Sequence, residues 1–228
     1  MSGLEVVLTL LLATLAGLDL VSWPQAQLSR PLVAGLLGGL AVGSPLEGLG
    51  VGAVLELFAL ETLPVGAARY PDWGPGAVAA GALAGAGPQA TAPAGLLGVV
   101  MVAAVSAWSG GWLMHLVRRA NAEAMHARRA AIEAGDHRAL SALQRGGLLR
   151  DAARSLALGS FALVLGDQVS TVFANAWDAP ALLARGVLAA SSVGVALWAA
   201  WRLFGQSRAL RFLAGGIAAG TGVALWLR

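Results

Sequence analysis

Residues 35–72 read GLLGGLAVGSPLEGLGVGAVLELFALETLPVGAARYPD, and this stretch decides the fold. It is apolar and rich in glycine, yet Glu47, Glu56 and Glu61 lie inside or beside its hydrophobic runs. Its prolines and glycines argue against one straight helix. Non-helical backbone is tolerated at membrane depth only where protein buries it or where it lines a cavity. A pair of short, broken hydrophobic segments is also typical of a transporter binding site. The stretch therefore predicts the floor and wall of a polar cavity inside a membrane protein.

The composition of the whole chain agrees with a membrane location. The chain has 228 residues, of which 57% are hydrophobic and only 12% are charged. Its mean hydropathy is +0.73. Because a soluble domain has about 25% charged residues, most of this surface must face lipid or other membrane-embedded protein. We expect an all-α, polytopic fold that forms one membrane-embedded domain over residues 1–228.

The same composition excludes several kinds of site. The chain contains no cysteine, which rules out disulfides and thiolate metal ligands. Its three histidines are widely spaced and form no metal-ligand pattern. All 15 basic residues are arginines, and most lie in two clusters that report membrane orientation rather than nucleic-acid binding. We predict no catalytic residue, no metal, no cofactor and no nucleic-acid partner.

Short polar turns divide the chain into eight apolar segments. We predict these segments at residues 4–20, 32–42, 46–63, 76–87, 94–117, 152–173, 181–201 and 212–227. The second segment is too short to cross about 30 Å of hydrocarbon at about 1.5 Å per residue. The third is long enough but contains three glutamates. A re-entrant or broken helix pair explains both features.

Residues 118–150 form the one hydrophilic block, which we call the basic hairpin. Its arginines are Arg118, Arg119, Arg128, Arg129, Arg138, Arg145 and Arg150. Alanines and leucines recur at three- and four-residue spacing on both sides of a glycine, which predicts an amphipathic helix, a glycine break and a second helix. The arginine excess predicts that this hairpin is cytoplasmic and that the second cluster, at 202–211, lies on the same side.

Several motifs of the first third follow one another in a recognisable order. They are LD at 18–19, QLSRPLVAG at 27–35, GLGVGAVLELFAL at 48–60 and LPVGAARYPD at 63–72. In these residues the chain resembles the membrane IIC component of the mannose/fructose/sorbose class of bacterial phosphotransferase systems. The sequence AGDHRALSAL at 134–143 is similar to the cytoplasmic loop of that family.

The resemblance implies a transport subunit of the bacterial inner membrane that is not itself an enzyme. It implies a IID membrane partner, a hexose or amino sugar as substrate, and assembly into oligomers of IIC–IID units. It also implies that cytoplasmic IIA and IIB proteins carry the phosphoryl group on their own histidines. Ser44 stands where many family members carry an acidic residue, and Pro64 where some carry an asparagine. These departures leave the sugar and its coupling to phosphorylation open.

Two other interpretations remain open at this point. The chain is also compatible with a phosphorylation-independent permease or channel for a small polar solute. A third interpretation is a non-transporting membrane scaffold that assembles partners through its small-residue faces. The scaffold predicts that Glu56 and Gln27 can be replaced without functional loss beyond folding, whereas neighbouring genes for IIA, IIB and IID proteins would favour the phosphotransferase subunit over the independent permease.

Four side chains are the candidate sugar ligands: Glu56, Gln27, Asp19 and Asp72. Glu56 lies in the LEL pattern of the family, where a carboxylate can accept hydrogen bonds from adjacent sugar hydroxyls. Its alternative is a buried structural carboxylate bonded to amides of the glycine-rich loops. Gln27 offers both a donor and an acceptor to a hydroxyl. Its alternative is to satisfy free backbone groups at a helix break.

Asp19 and Asp72 also allow two interpretations each. Asp19 either binds sugar or caps the segment that follows it. Asp72 ends the PD motif and either lines the cavity or caps the helix that we predict near Gly76.

Overall fold

The computed structural model describes residues 1–62, 69–87, 92–204, 211, 214–216 and 218. All regular structure in these ranges is helical, which confirms the predicted all-α fold. The helices are α1 (Gly3–Asp19), α2 (Pro31–Ala41), α3 (Pro45–Ala59), α4 (Trp73–Ala86), α5 (Pro93–Ala127), α6 (Arg129–Glu133), α7 (His137–Ala176) and α8 (Ala181–Phe204). The segment predicted at 212–227 lies almost wholly outside the described residues.

The predicted short helix of the central stretch is present. Helix α2 has 11 residues and is followed by α3, which has 15 and ends four residues before the predicted end at Leu63. At about 1.5 Å per residue these helices measure about 16 and 22 Å, less than the hydrocarbon thickness. The glycine-rich stretch therefore forms two short, broken helices, as expected.

At the basic hairpin the helices continue beyond the apolar segments that we predicted. Helix α5 runs on to Ala127 and α7 already begins at His137, whereas we predicted a segment end at Val117 and a segment start at Ala152. The fall in hydropathy marks where the chain leaves the apolar phase and not where the helix ends. Each half of the basic hairpin is amphipathic and continues the helix that precedes or follows it. The predicted glycine break is confirmed at Gly135, which has a φ of +73°.

Within the described ranges, three helices are long and apolar enough to cross a membrane. They span Pro93–Ala127, His137–Ala176 and Ala181–Arg202. Helices α5 and α7 have 35 and 40 residues, or about 52 and 60 Å. Since a bilayer measures about 40–45 Å with its headgroups, both helices project well beyond it and carry the basic hairpin into water.

Helix α4 lies at the centre of the molecule. It contacts α1, α2, α3, α5 and α7, and all residues from Trp73 to Ala84 are buried. Its sequence is almost entirely Gly, Ala and Val, which suits a helix enclosed on every side and allows close approach. A Cβ atom built on Gly38 of α2 would lie only 1.9 Å from the carbonyl oxygen of Val78 in α4. The backbones of α2 and α4 are therefore in direct contact.

The two ends of the bundle differ in charge. The Ser22 hydroxyl donates to Asp151 at 2.5 Å, and Arg202 donates to the carbonyl oxygen of Glu61 at 3.2 Å. The first contact places the end of α1 at the foot of the basic hairpin, and the second joins the ends of α3 and α8. The ends of α1 and α3 line one cavity, so all three lie at the same end of the bundle, which we call the arginine end. Between residues 1 and 202, every arginine except Arg185 lies at this end or beyond it. The positive-inside rule assigns the arginine end to the cytoplasm.

Candidate functional site

A polar cavity of about 380 Å³ lies at the arginine end, and we call it the solute cavity. It is enclosed by the loop after α1, the starts of α2 and α4, and the end of α3. Its lining residues are Asp19, Leu20, Gln25, Gln27, Ser29, Arg30, Pro31, Ala59, Thr62, Tyr70, Pro71 and Trp73. The volume falls in the range of about 300–1,000 Å³ that is usual for small-molecule sites. Hydrogen-bonding side chains and two aromatic rings together suit a small polyhydroxylated solute.

The loop after α1 is folded around the carboxylate of Asp19. This side chain is only 3% exposed and accepts hydrogen bonds from the backbone of Ala26 and from Ser29, whose N–H and hydroxyl lie at 3.0 and 3.1 Å. Gln25 and Gln27 adopt positive φ angles of 58° and 66°, which are uncommon for residues other than glycine. The bonds to Asp19 hold the loop in this conformation, so that both glutamines are exposed at the cavity.

Glu56 lies behind the cavity wall rather than on it. Its carboxylate forms an ion pair with Arg30 and accepts the N–H of Leu32 at 3.2 Å. Leu32 lies in the first turn of α2, where the backbone N–H groups have no helical partner. Glu56 therefore joins α3 to the N-terminus of α2 and holds Arg30 at the edge of the cavity.

Asp72 points away from the solute cavity into the helix bundle. It is fully buried, and its Oδ2 atom lies 2.6 Å from Nη1 of Arg154, whose side chain is 2% exposed. It precedes α4 as the N-cap residue but makes no capping bond with its side chain. Its neighbours Pro71 and Trp73 do line the cavity. Asp72 thus anchors the cavity wall from behind.

The guanidinium of Arg154 is the centre of a buried polar network. Besides Asp72 it bonds Asp151 at 2.8 Å, and it lies 3.4 and 3.5 Å from the carbonyl oxygens of Gly17 and Gly110. One side chain thereby connects the end of α1, the start of α4, the middle of α5 and the body of α7. A buried charge is stable only when it is paired and hydrogen-bonded in this way.

Sequence reasoning missed Arg154 and Asp151. Both lie beside the boundary at which we predicted that the basic hairpin ends, so they were not distinguished from its solvated charges. Their spacing of three residues on one helix is a signal for an ion pair on a single face. Tyr70 and Trp73 were also missed as cavity residues, although both flank the PD motif.

The comparison with known families decides the identity of the fold. A family profile described as the PTS system sorbose-specific IIC component matches residues 4–203. The chain belongs to this family. It is thus a multi-pass membrane component of the bacterial phosphotransferase system type, in agreement with the resemblance in its first third.

Two curated relatives of the IIC family illustrate the range of similarity. The mannose-specific EIIC component of Escherichia coli (strain K12) is 30% identical over 151 residues, which cover 66% of this chain and 54% of the relative. The fructose permease IIC component of Bacillus subtilis (strain 168) is 42% identical over 72 residues, covering 32% and 26%. The matches therefore span about half of the first relative and about a quarter of the second.

Solved structures extend the similarity to the complete fold. One structure, described as a membrane protein, covers 100% of this chain and 92% of its own, with a TM-score of 0.74 and 24% identity. A cryo-EM structure of the mannose transporter ManYZ in complex with microcin E492 covers 97% and 87%, with a TM-score of 0.61 and 23% identity. At these identities the likeness is one of fold.

The structure of this IIC component divides the four predicted sugar ligands into two groups. Asp19 and Gln27 line the solute cavity. Glu56 and Asp72 lie outside the cavity lining, where Glu56 pairs with Arg30 and Asp72 pairs with Arg154. The assignment of these residues to sugar binding stays a prediction.

Proposed function

We propose that this IIC component is the sugar-translocating membrane subunit of a phosphoenolpyruvate-dependent phosphotransferase system. It binds a hexose or amino sugar in the solute cavity and moves it across the inner membrane together with a IID subunit. Phosphoryl transfer takes place on cytoplasmic IIA and IIB proteins, so that this chain is not itself an enzyme. The observation that supports the proposal is a cavity of sugar size, rich in hydrogen-bonding groups, at the arginine end of a IIC fold.

The lining of the cavity offers the two kinds of contact that a pyranose ring requires. Gln25, Gln27 and Thr62 supply amide and hydroxyl groups for ring hydroxyls, while Tyr70 and Trp73 supply aromatic surface. Trp73 is 9% exposed, and its buried indole N–H has no acceptor among the described protein atoms. A buried donor without a partner costs about 1–3 kcal/mol. The aromatic face of Trp73, rather than its buried N–H, is therefore the surface that this residue offers to a sugar.

The packing below the cavity indicates which side is open. Towards the other end of the bundle, α2, α3 and α4 contact one another through glycines, and a Cβ on Gly35 or Gly48 would meet backbone at 2.6 and 2.4 Å. These contacts leave no space for a sugar between α2 and α3, while a separate cavity of about 460 Å³ towards the other end is lined by α3, α4, α5 and α8. We infer an inward-facing arrangement, in which movement of the α2–α3 hairpin with its partner subunit opens the solute cavity to the opposite side.

Substitution of Gln27 by Asn tests direct contact with sugar. Asn tolerates positive φ, so the loop should keep its conformation. The side chain of Asn is one methylene shorter, which moves its amide away from the sugar. We expect the dissociation constant to rise about three- to tenfold, as for one lost hydrogen bond of about 0.5–1.5 kcal/mol. The measurement is calorimetric binding of mannose, glucosamine, N-acetylgalactosamine, fructose and sorbose to the purified IIC–IID complex.

Two companion variants complete the Gln27 experiment. Gln168→Asn, on the exposed surface of α7, is the matched control and keeps wild-type affinity. Glu56→Gln weakens binding less than Gln27→Asn, because its carboxylate is occupied by Arg30 and Leu32. Equal effects of Gln27→Asn and Gln168→Asn contradict the direct contact. A wild-type complex that binds none of the five sugars contradicts the proposed function and favours a scaffold or another solute.

A further inference from the structure

The cavity of about 460 Å³ between α3, α4, α5 and α8 differs from the solute cavity in its chemistry. We call it the outer groove, because it lies towards the end of the bundle opposite the arginine end. Its walls are aliphatic and include Val51, Val54, Leu96, Val100 and Leu188. Among the described residues that line it, only Glu47 and Arg185 carry polar side chains. The walls therefore suit a hydrocarbon chain and not a polyhydroxylated sugar.

The outer groove is open to the surroundings of the bundle. Its lining includes Gly50 and Ala189, and both residues are exposed. Helix α8, which forms one side, contacts α3 and α5, but only 11% of its apolar window is buried within the chain. At this depth the surroundings are lipid. Because apolar cavities stay free of water and an empty space forfeits the dispersion contacts of its walls, an acyl chain of the bilayer is the natural occupant.

Two opposite charges lie at this groove near the membrane surface. Glu47 belongs to the first turn of α3 and Arg185 to the start of α8, and both side chains are exposed. Within the described part of the chain neither charge takes part in an ion pair. Arg185 precedes Arg202 of the arginine end by 17 residues, or about 26 Å. Since the hydrocarbon layer is about 30 Å thick, Arg185 reaches the opposite headgroup region, into which long side chains extend.

A headgroup with one phosphate and one primary ammonium matches this pair of charges. The guanidinium of Arg185 can bind a phosphate through two parallel, charge-assisted hydrogen bonds. The carboxylate of Glu47 can accept a hydrogen bond from an ammonium group, which has three N–H donors. A trimethylammonium group has no N–H to donate, and a glycerol headgroup brings no cation to Glu47. The charges thus discriminate between headgroups, whereas the aliphatic walls accept any acyl chain.

We propose that the outer groove binds a phosphatidylethanolamine molecule, with one acyl chain between α3 and α8, its phosphate on Arg185 and its ammonium on Glu47. The lipid fills the space between α8 and the pair of short helices, and it joins them at the end where no arginine cluster lies. The site is separate from the solute cavity and does not rest on the proposed sugar transport.

Gly50 allows the groove to be filled without disturbing the helices around it. A Cβ on Gly50 meets nothing within 4 Å, so that Gly50→Phe places a ring in the space of the acyl chain. The measurement is native mass spectrometry of the delipidated IIC–IID complex, titrated with phosphatidylethanolamine, phosphatidylcholine and phosphatidylglycerol that carry identical acyl chains. We expect the wild type to bind phosphatidylethanolamine at least about tenfold more tightly than the other two lipids, in line with a hydrogen bond to a charged group. Gly50→Phe loses this binding.

Two charge variants distinguish the roles of the headgroup contacts. Arg185→Gln raises the dissociation constants of all three lipids about tenfold, because each of them carries the phosphate. Glu47→Gln removes the preference for phosphatidylethanolamine over phosphatidylcholine and changes the binding of phosphatidylcholine little. Arg138→Gln, an exposed substitution in the basic hairpin, is the matched control and keeps wild-type binding.

Four results would overturn the proposal. They are equal affinity of the wild type for the three lipids, tighter binding of phosphatidylglycerol, equal losses in Arg138→Gln and Arg185→Gln, and a preference that survives Gly50→Phe. A complex that binds none of the lipids also contradicts the proposal and favours a helix of another protein as the occupant. Sugar binding by the same samples tests the proposed function separately.

Discussion

Replacement of Arg154 by Met lowers the stability of the folded chain by about 3–5 kcal/mol, the usual cost of removing one partner from a buried ion pair. The substitution leaves Asp72 and Asp151 buried at 0% and 2% side-chain exposure without their counter-ion. It also removes the link between the end of α1 and the middle of α5. We expect a large loss of monodisperse protein and a lower melting temperature in detergent, measured by fluorescence-detected size-exclusion chromatography.

Two further variants show whether this loss comes from the buried pair. Arg150→Met removes an exposed arginine one turn away on the same helix, whose Nη1 donates to the half-buried Asn121 at 2.9 Å. It should change the melting temperature little. The double variant Asp72→Asn with Arg154→Met removes both charges of one pair and should recover a substantial part of the loss. Equal destabilisation by the Arg150 and Arg154 variants contradicts a central role of the network.

Replacement of Gly38 by Ala separates α2 from α4. The new methyl group would lie 1.9 Å from the carbonyl oxygen of Val78, a backbone atom that cannot rotate away. Overpacking of this kind typically costs about 1–3 kcal/mol and sometimes more. Because α4 contacts five other helices, its displacement also disturbs Trp73 and the cavity. We expect lower thermal stability together with weaker sugar binding.

Gly50 provides the matched control for Gly38. It lies in α3, but a Cβ on Gly50 meets nothing within 4 Å. Ala is favoured over Gly in a helix by about 0.8–1.0 kcal/mol, so that Gly50→Ala should leave stability unchanged or raise it. The two substitutions are chemically identical, and opposite effects isolate the close contact. A mild effect of Gly38→Ala contradicts backbone packing between α2 and α4.

Local patterns predicted the elements of this fold well. The 11-residue α2, the proline starts of α2 and α3, and the glycine break at Gly135 all follow from features within a few residues. The extension of α5 and α7 into the basic hairpin did not follow from hydropathy, because a helix continues into water when its polar half is amphipathic. The burial of α4 on all sides agrees with its Gly and Ala content.

The candidate site was predictable only in part. Asp19 and Gln27 were predicted from the family motifs and from the hydrogen-bonding capacity of their side chains, and both line the solute cavity. The contact of Asp72 with Arg154 joins residues that are 82 positions apart, and no periodicity in a single sequence reports such a pair. For the same reason the bond between Glu56 and Arg30 appeared only with the fold, although both residues belong to motifs shared with the IIC family.

The most direct test of the solute cavity uses its accessibility to a thiol reagent. The chain has no native cysteine, so Thr62→Cys places a single reactive thiol in the cavity lining. Leu149→Cys, at a position on α7 that is 70% exposed, is the control outside the cavity. The measurement is the rate of maleimide labelling of the IIC–IID complex with and without saturating sugar. We predict that one of the five sugars slows labelling of Thr62→Cys but not of Leu149→Cys. Labelling of Thr62→Cys that no sugar slows, in a complex that binds sugar, would place the binding site elsewhere and contradict the account.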